Sequence, residues 1–530
     1  MRPQAQLLYF RSKIDLKLHP YAVCATDDLP GPKPLILEIS PGAITNLQKA
    51  VEDTEKIADI ARRGGKSCVV LRPTGCGPGS VHQNYGEVDV FEAIEAVAAS
   101  HEIDRDRITV IGSSMGGASV WYMVSHYPDF FAAGVPICGY CDYRLWEKPG
   151  GATFHMSEWE EPSWQARSAA LLVENLEHTP LWIELGAWDR GVGGGVPVEH
   201  SRQMSRLLRE KGFQHQYTET AKLGHEVPPN PMYEQLILWM LEQNKVRNPR
   251  HVALATYQLR HNRSYWVTVD QIERYGRRAL VNARLEDGGA VTVSTANVRG
   301  FSIGPVGSGR GRVAVDGQDM GVLEISKRLT FRINGKSWSV STAGTPGEKR
   351  RGMSGPISDL FFDRALMVPG TAGTDEETHF NTWAAKDAQA YFKKRNGGVH
   401  RGGIMGENSV DLAIVPDKEL ADDDLKANNI LLYGTYATNA VLARFKGKLP
   451  LEFGAGAITL AGKRYTGERL SVFALFPHPL NGERYVAVHG GVTPDAVCWG
   501  SHLGMMLLPD YIVYDGGRMV DWGFWGNEWR

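Results

Sequence analysis

One serine of the chain lies in a pattern that is typical of a catalytic nucleophile. Ser114 is the centre of a Gly-x-Ser-x-Gly pentapeptide, with an apolar run over 108–111 before it and a helix-like stretch after it. Small residues beside the serine allow a sharp strand-to-helix turn, which raises the hydroxyl above the sheet. The following helix N-terminus offers backbone N–H groups and the positive end of the helix dipole. The pattern therefore predicts a nucleophilic Ser114.

A serine hydroxyl needs a base to take its proton and an acid to orient that base. For this kind of turn the expected chain order is serine, then aspartate or glutamate, then histidine. Asp189 follows the apolar run 181–185 by a short loop, and His225 follows the next strand-like run. We therefore predict Asp189 as the acid and His225 as the base.

Three other residues compete for these roles. His200 starts an amphipathic helix and His215 leads into a strand, so we expect both to be solvated surface residues. Asp142 directly follows the strand after the serine's helix, which is too early in the chain for the acid. None of the three is the preferred assignment.

The developing negative charge of the reaction requires two backbone N–H donors, which form an oxyanion hole. Met115, the residue after the serine, is the first predicted donor. The second is expected from the loop after the first buried strand, where Pro41 has no N–H and therefore leaves Gly42 or Ala43.

The elements that must position these residues alternate between strands and helices over 1–245. Strands separated by helices predict a mostly parallel sheet with helices on both faces and functional groups at the carboxyl ends of its strands. Short strands and Gly- or Asp-containing turns then predict a β-rich domain over 246–350. The alternation returns in a second α/β domain over 351–530, and the Arg- and Gly-rich stretch 345–355 is predicted to be a linker.

An insert over 143–178 separates a core strand from the strand that leads to the acid. Its Trp146, Trp159 and Trp164, together with Trp188 beside the acid, are candidates for the wall of a substrate pocket under a cap-like insert. An equally weighted alternative is that the rings of the insert pack it onto the domain.

Composition limits the classes of partner. The 530 residues suit about three domains, and a formal net charge of −2 gives no basic excess for nucleic acid or an anionic membrane. Six cysteines are too few for a disulfide scaffold, and the lone pair Cys138 and Cys141 lacks the further ligands of a zinc site. We expect a cytoplasmic protein with no metal or cofactor; secretion would require a leader that has been removed.

Several segments resemble the α/β-hydrolase superfamily, in particular esterases and prolyl-oligopeptidase-like serine hydrolases. The resemblance rests on 85–90, 104–108, 112–117, 127–133 and 136–139, followed by Asp189 and by the Gly-His pair that ends at His225. It implies the α/β-hydrolase fold and the Ser114–Asp189–His225 triad. The whole chain is also similar to bacterial hydrolases with a long C-terminal extension, on 355–359, 428–434 and 477–481.

The leading prediction is a serine hydrolase that cleaves a small carboxylic ester through an acyl-enzyme on Ser114. A peptidase or amidase that acts on short peptides with the same triad is the alternative, because the resemblance covers both activities. A non-catalytic binding protein on a hydrolase fold is the alternative of another class. The chain could also form a homo-oligomer.

Overall fold

A computed structural model of the protein describes most of the chain. The described residues are 3–27, 29–40, 47–74, 82–83, 85–147, 157–189, 195–229, 231–341, 344, 346–393, 410–500 and 509–530. Within them, no helix is both long enough and apolar enough to cross a membrane.

The N-terminal unit is built on an eight-stranded sheet with the order β1-β2-β4-β3-β5-β6-β7-β8. The strands β4, β3, β5, β6, β7 and β8 are parallel to one another. The strands β1 and β2 add an antiparallel hairpin at the edge of β4. In chain order the strands are Gln6–Arg11, Leu18–Ala25, Lys33–Glu38, Val69–Pro73, Ile103–Ser113, Ala133–Ile137, Leu181–Gly186 and His215–Thr220.

Helices cover both faces of this sheet because neighbouring residues of each strand point to opposite sides. The described α-helices of the unit, α1 to α6, are Leu47–Arg63, Gly86–Ala98, Met115–His126, Glu161–Arg167, Glu199–Glu210 and Met232–Met240. Ile36 packs in one core with α1 and α6, whereas Leu35 and Leu37 pack in another with α2, α3 and α5. Both faces are thus buried, as expected for a parallel sheet.

The next unit is a β-sandwich. One sheet has the order β10-β11-β14-β17-β18 and the other β16-β15-β13-β12-β9. Phe301 of one sheet stacks on Phe331 and shares a core with Val281 of the opposite sheet. In chain order β9 to β18 are His251–Thr256, Arg263–Ser264, Val267–Ile272, Ala279–Leu285, Val291–Ala296, Val298–Ile303, Arg310–Val315, Gln318–Glu324, Leu329–Asn334 and Ser337–Ser341.

The last unit is a second α/β structure around a seven-stranded sheet with the order β20-β19-β21-β26-β25-β27-β28. The first four strands are parallel and the rest antiparallel, and β22 to β24 form a separate small sheet. Strands β19 to β28 are Ala365–Pro369, Ala413–Ile414, Asn429–Tyr433, Leu451–Gly454, Ala457–Leu460, Lys463–Thr466, Leu470–Pro477, Tyr485–Gly491, Tyr511–Asp515 and Arg518–Gly523; helices α7 to α9 are Asp375–Lys393, Asp422–Ala427 and Ala440–Ala443.

Buried side chains join the three units. The core of the last unit extends to Tyr85 and Val88 at the start of α2, and the Tyr85 ring contacts Phe392. The predicted linker over 345–355 is wrong at Lys349, which is buried and makes an ion pair with Asp510 at 2.5 Å. A buried ammonium group requires such a partner, so Lys349 is part of the packed structure and not of a linker.

Candidate active site

Ser114 lies on the sharp turn between β5 and α3. Its φ of 57° and ψ of −119° place a non-glycine residue in a strained backbone region. A side chain at Gly116 is excluded, because a Cβ atom there would lie 2.5 Å from the carbonyl oxygen of Ile39. Gly116 is required because this turn approaches the backbone directly after β3, and a strained backbone such as that of Ser114 persists only where the surrounding structure holds it.

Ser114, His225 and Asp189 form an unbroken hydrogen-bonded chain. The Nε2 atom of His225 lies 2.7 Å from Ser114 Oγ, and its Nδ1 atom lies 2.5 Å from Asp189 Oδ2. The backbone N–H of Val196 donates to the other carboxylate oxygen, Oδ1, at 2.9 Å. Asp189 is buried and His225 is partly exposed, so the base is accessible while the acid is shielded.

The loops that carry the acid and the base are held against each other. The N–H of Trp188 donates to the carbonyl of Leu223 at 2.9 Å. At Gly186, the last residue of β7, a Cβ atom would lie 2.1 Å from the carbonyl oxygen of Gly224. This contact places Asp189 beside His225 even though the two residues come from different strand ends.

The region of the predicted oxyanion hole lies where α3 begins. Met115 is the first residue of α3, whose N-terminus meets the end of β3 at Ile39 and Ser40. Ser40 Oγ also accepts the N–H of Ser113 at 2.9 Å. Gly42 and Ala43, the predicted second donors, lie outside the described residues.

A buried ion pair that no sequence pattern above indicates supports this region. Arg72 of β4 lies 2.8 Å from Glu38 of β3 and 2.6 Å from Asp53 of α1, and it also donates to the carbonyl of Ser40. Glu38 in turn accepts the N–H of Ser40 at 3.0 Å. The available signal was a charged residue inside each of two apolar strands, since a buried charge requires a partner.

The three residues that compete for the roles of acid and base lie outside the hydrogen-bonded chain of Ser114, His225 and Asp189. The prediction that His200 is solvated is wrong: its side chain is fully buried, its Nδ1 atom accepts the N–H of Cys141, and burial lowers its pKa to about 3. His215 is partly exposed and lies 3.1 Å from Ser205 Oγ. Asp142 makes an ion pair with Arg144 at 2.7 Å. Each has a structural partner of its own.

The four tryptophans predicted to line a pocket have different surroundings. Trp164 is buried against Tyr143 and Arg167 within the insert, and Trp159 packs against the core of the last unit. Trp188, next to Asp189, is 58% exposed. The side chain of Trp146 lies outside the described residues.

One group of side chains in the described part of the chain could hold a metal ion. It joins Cys138 to Asp189 and His225, and the three ligand atoms lie within 4.8 Å of one another. Burial raises the pKa of the Cys138 thiol to about 12. The thiol is therefore protonated at neutral pH and is a poor nucleophile.

Comparisons with known proteins give partial matches to single proteins and one match to a family. An uncharacterized secreted protein of Arthroderma benhamiae is 35% identical over 132 residues, which are 23% of this chain and only 13% of that protein. A solved thermostable esterase is 22% identical with a TM-score of 0.34, over 46% of this chain and 64% of its own. A solved acylaminoacyl peptidase of Pyrococcus horikoshii is 14% identical with a TM-score of 0.36, over 46% and 42% of the two chains.

The family match covers the segment that contains the three site residues. Residues 81–243 match the prolyl oligopeptidase family, and this range includes Ser114, Asp189 and His225. It begins before α2 and ends after α6, within the unit whose parallel sheet and strand-to-helix serine turn are described above. Residues 81–243 are therefore similar to the prolyl oligopeptidase family, and they lie in a unit that has the parallel sheet and the serine turn of an α/β-hydrolase fold.

Proposed function

We propose that the protein is a serine hydrolase that cleaves a small carboxylic ester. The observation that carries this proposal is the hydrogen-bonded chain from Ser114 Oγ through both ring nitrogens of His225 to Asp189. Such a chain has the geometry that proton transfer from a serine hydroxyl requires. A binding protein would have no need of it.

The reaction begins when Ser114 Oγ attacks the ester carbonyl and its proton passes to His225 Nε2. Asp189 then holds the imidazolium through the Nδ1–H bond, and the Val196 N–H keeps the carboxylate oriented. The carbonyl oxygen gains negative charge, which the N–H of Met115 and a donor from Gly42 or Ala43 would stabilise.

Collapse of this intermediate breaks the bond to the alcohol, which takes the proton from His225 and leaves an acyl group on Ser114. Water then repeats the sequence: His225 accepts its proton, the oxygen attacks the acyl carbon, and the proton returns to Ser114. The products are an alcohol and a carboxylic acid, Ser114 is regenerated, and no cofactor is consumed.

An ester is the less demanding substrate for this site. Its alkoxide leaving group needs less protonation than the amine of a peptide bond, which must receive the proton from an accurately placed His225. The family match favours the second candidate, a peptidase that acts on short peptides with the same three residues.

The two candidates are distinguished by a substrate panel. The protein is assayed on p-nitrophenyl esters of increasing acyl length and on short chromogenic peptides, together with Ser114→Ala and the matched control Ser113→Ala. We expect ester turnover that falls by about 10⁴-fold or more in Ser114→Ala and is largely kept in Ser113→Ala. Turnover of peptides alone would favour the second candidate, and turnover that survives Ser114→Ala would contradict both.

A further inference from the structure

A buried thiol lies beside the acid and the base of the candidate active site. Cys138 is the first residue after β6, and it has a φ of 48°, a backbone conformation that side chains rarely adopt. Its Sγ atom, a carboxylate oxygen of Asp189 and a ring nitrogen of His225 all lie within 4.8 Å of one another. The reaction described above makes no use of this thiol.

We propose that Cys138, Asp189 and His225 form a binding site for a thiophilic divalent cation, Zn²⁺ above all, and that the bound cation inhibits the enzyme. The inhibition rests on the proposed hydrolase function. The binding of the cation does not.

The donor set decides the kind of metal. One sulfur, one imidazole nitrogen and one carboxylate oxygen are ligands that zinc accepts, whereas magnesium and calcium prefer oxygen alone. Zinc lies about 2.0 to 2.3 Å from such ligands, so two of them around one tetrahedral ion are separated by roughly 3.3 to 3.8 Å. Small side-chain rotations can therefore bring the three atoms to one ion.

The exposure of the three side chains also suits a bound cation, because two of them are shielded from water and the third is accessible. Cys138 and Asp189 are each 3% exposed, and the side chain of His225 is 24% exposed. The ion would enter from the side of His225 and would keep its remaining coordination position for water. A carboxylate in a shielded position favours a positive ion beside it.

Binding at either ring nitrogen removes the base. If the ion takes Nε2, the lone pair that must accept the Ser114 proton is occupied. If it takes Nδ1, the neutral ring carries its proton on Nε2, which then only donates. In both cases the imidazole keeps one proton, and the ion displaces the Cys138 proton into the solvent, because a coordinating thiol is deprotonated.

The first test is inhibition by zinc. The rate of p-nitrophenyl ester hydrolysis is titrated with ZnCl₂ in a buffer without chelating agents, for the wild type, Cys138→Ala and the matched control Cys141→Ala. Cys141 is also a buried thiol, and its Sγ donates to the carbonyl of His200, whereas the Sγ of Cys138 donates to the carbonyl of Glu226, next to His225. Each rate is normalised to that of the same variant without metal.

We expect zinc to inhibit the wild type and Cys141→Ala alike, with recovery after addition of EDTA. Cys138→Ala should need more than about tenfold higher zinc for the same inhibition, because it lacks one of the ligands. Equal zinc sensitivity of Cys138→Ala and the wild type would overturn the proposal, and so would a wild type that zinc does not inhibit.

The second test needs no enzymatic activity. Cd²⁺ is titrated into the same three proteins, and the ultraviolet charge-transfer absorption of a cadmium–thiolate bond is recorded, with circular dichroism as the check that each variant is folded. The wild type and Cys141→Ala should gain this absorption and Cys138→Ala should lack it. Absorption without ester turnover would leave the metal site standing and contradict the proposed function, whereas no difference between the variants would overturn the site.

Discussion

At the residue scale, Asp189 controls which nitrogen of His225 carries the proton. Its Oδ2 accepts the Nδ1–H of His225, while its Oδ1 accepts the N–H of Val196. The second bond keeps the carboxylate from rotating, and the first leaves the lone pair of Nε2 directed at Ser114. Asp189 therefore acts by positioning the base and by stabilising its charged form.

Asp189→Asn tests this role. The amide can turn its NH₂ group toward His225 and so favour the tautomer whose proton is on Nε2, which cannot accept the serine proton. We expect kcat for ester hydrolysis to fall by about 10⁴-fold. Asp142→Asn, which removes the charge of the competing carboxylate, is the control and should stay within about tenfold of the wild type. A small loss of kcat in Asp189→Asn would count against the assigned acid.

Glu184 of β7 gives a prediction on pH dependence. Its side chain is fully buried and accepts a hydrogen bond from Thr220 Oγ1 at 2.6 Å. Burial raises its pKa from 4.5 to about 7, although threonine hydroxyls act in the opposite direction. Between pH 4.5 and about 7 the folded protein keeps a proton on Glu184 that the unfolded chain has lost. The stability that comes from this proton therefore decreases as the pH rises through about 7.

Glu184→Gln keeps an oxygen acceptor for Thr220 but carries no charge. We therefore expect a higher Tm than that of the wild type at pH 8 and a much smaller difference at pH 5, both measured by thermal unfolding. The same difference at both pH values would mean that ionisation of Glu184 does not affect stability.

At the element scale, the turn between β5 and α3 depends on the absence of a side chain at Gly116. Gly116→Ala would place a methyl group against the backbone of Ile39 and Ser40, and backbone cannot move aside as a side chain can. We expect at least about 100-fold loss of ester hydrolysis, since a small displacement of the nucleophile is costly. Gly482→Ala, where nothing lies within 4 Å, is the control. Comparable rates for the two variants would refute this account of the turn.

Local patterns made the turn and the strands of the parallel sheet predictable from the sequence. The pentapeptide around Ser114 is a local signal. The strand-like runs before Asp189 and His225 are local signals too, because each run is apolar or bounded by turns. The hairpin β1–β2 was missed because its pairing with β4 is long-range and because Pro20 and polar residues interrupt the apolar pattern. The prediction for His200 was wrong because the amphipathic pattern of α5 was read with His200 on the solvent face, whereas His200 lies on the face that is buried.

At the scale of the whole molecule, buried polar contacts join the three units. Arg260 of the β-sandwich unit bonds Asp359 of the last unit through Nε at 2.8 Å and lies over the ring of Phe362. The neighbouring His261 lies 2.9 Å from Glu87 in α2. These contacts join the N-terminal unit to the other two units, and no local sequence pattern predicts them.

Arg260→Met tests this junction. Removal of one partner leaves the buried Asp359 without its cation, and we expect a loss of about 3 kcal/mol in the free energy of unfolding. Arg263→Met is the control, because Arg263 is exposed and its ion pair with Asp129 lies nearer the surface, so about 1 kcal/mol or less should be lost. Denaturant unfolding measures both values. Equal small losses would show that the junction does not depend on this ion pair.

The proposed function depends on the activation of Ser114 by His225 and Asp189. Reaction with a fluorophosphonate, followed by digestion and peptide mass spectrometry, tests it most directly, because the reagent traps an activated serine without any choice of substrate. We predict one equivalent of label on the peptide that contains Ser114, with labelling abolished in Ser114→Ala and strongly slowed in His225→Ala. A wild-type protein that stays unlabelled, or a label on another serine, would contradict the proposed role of Ser114.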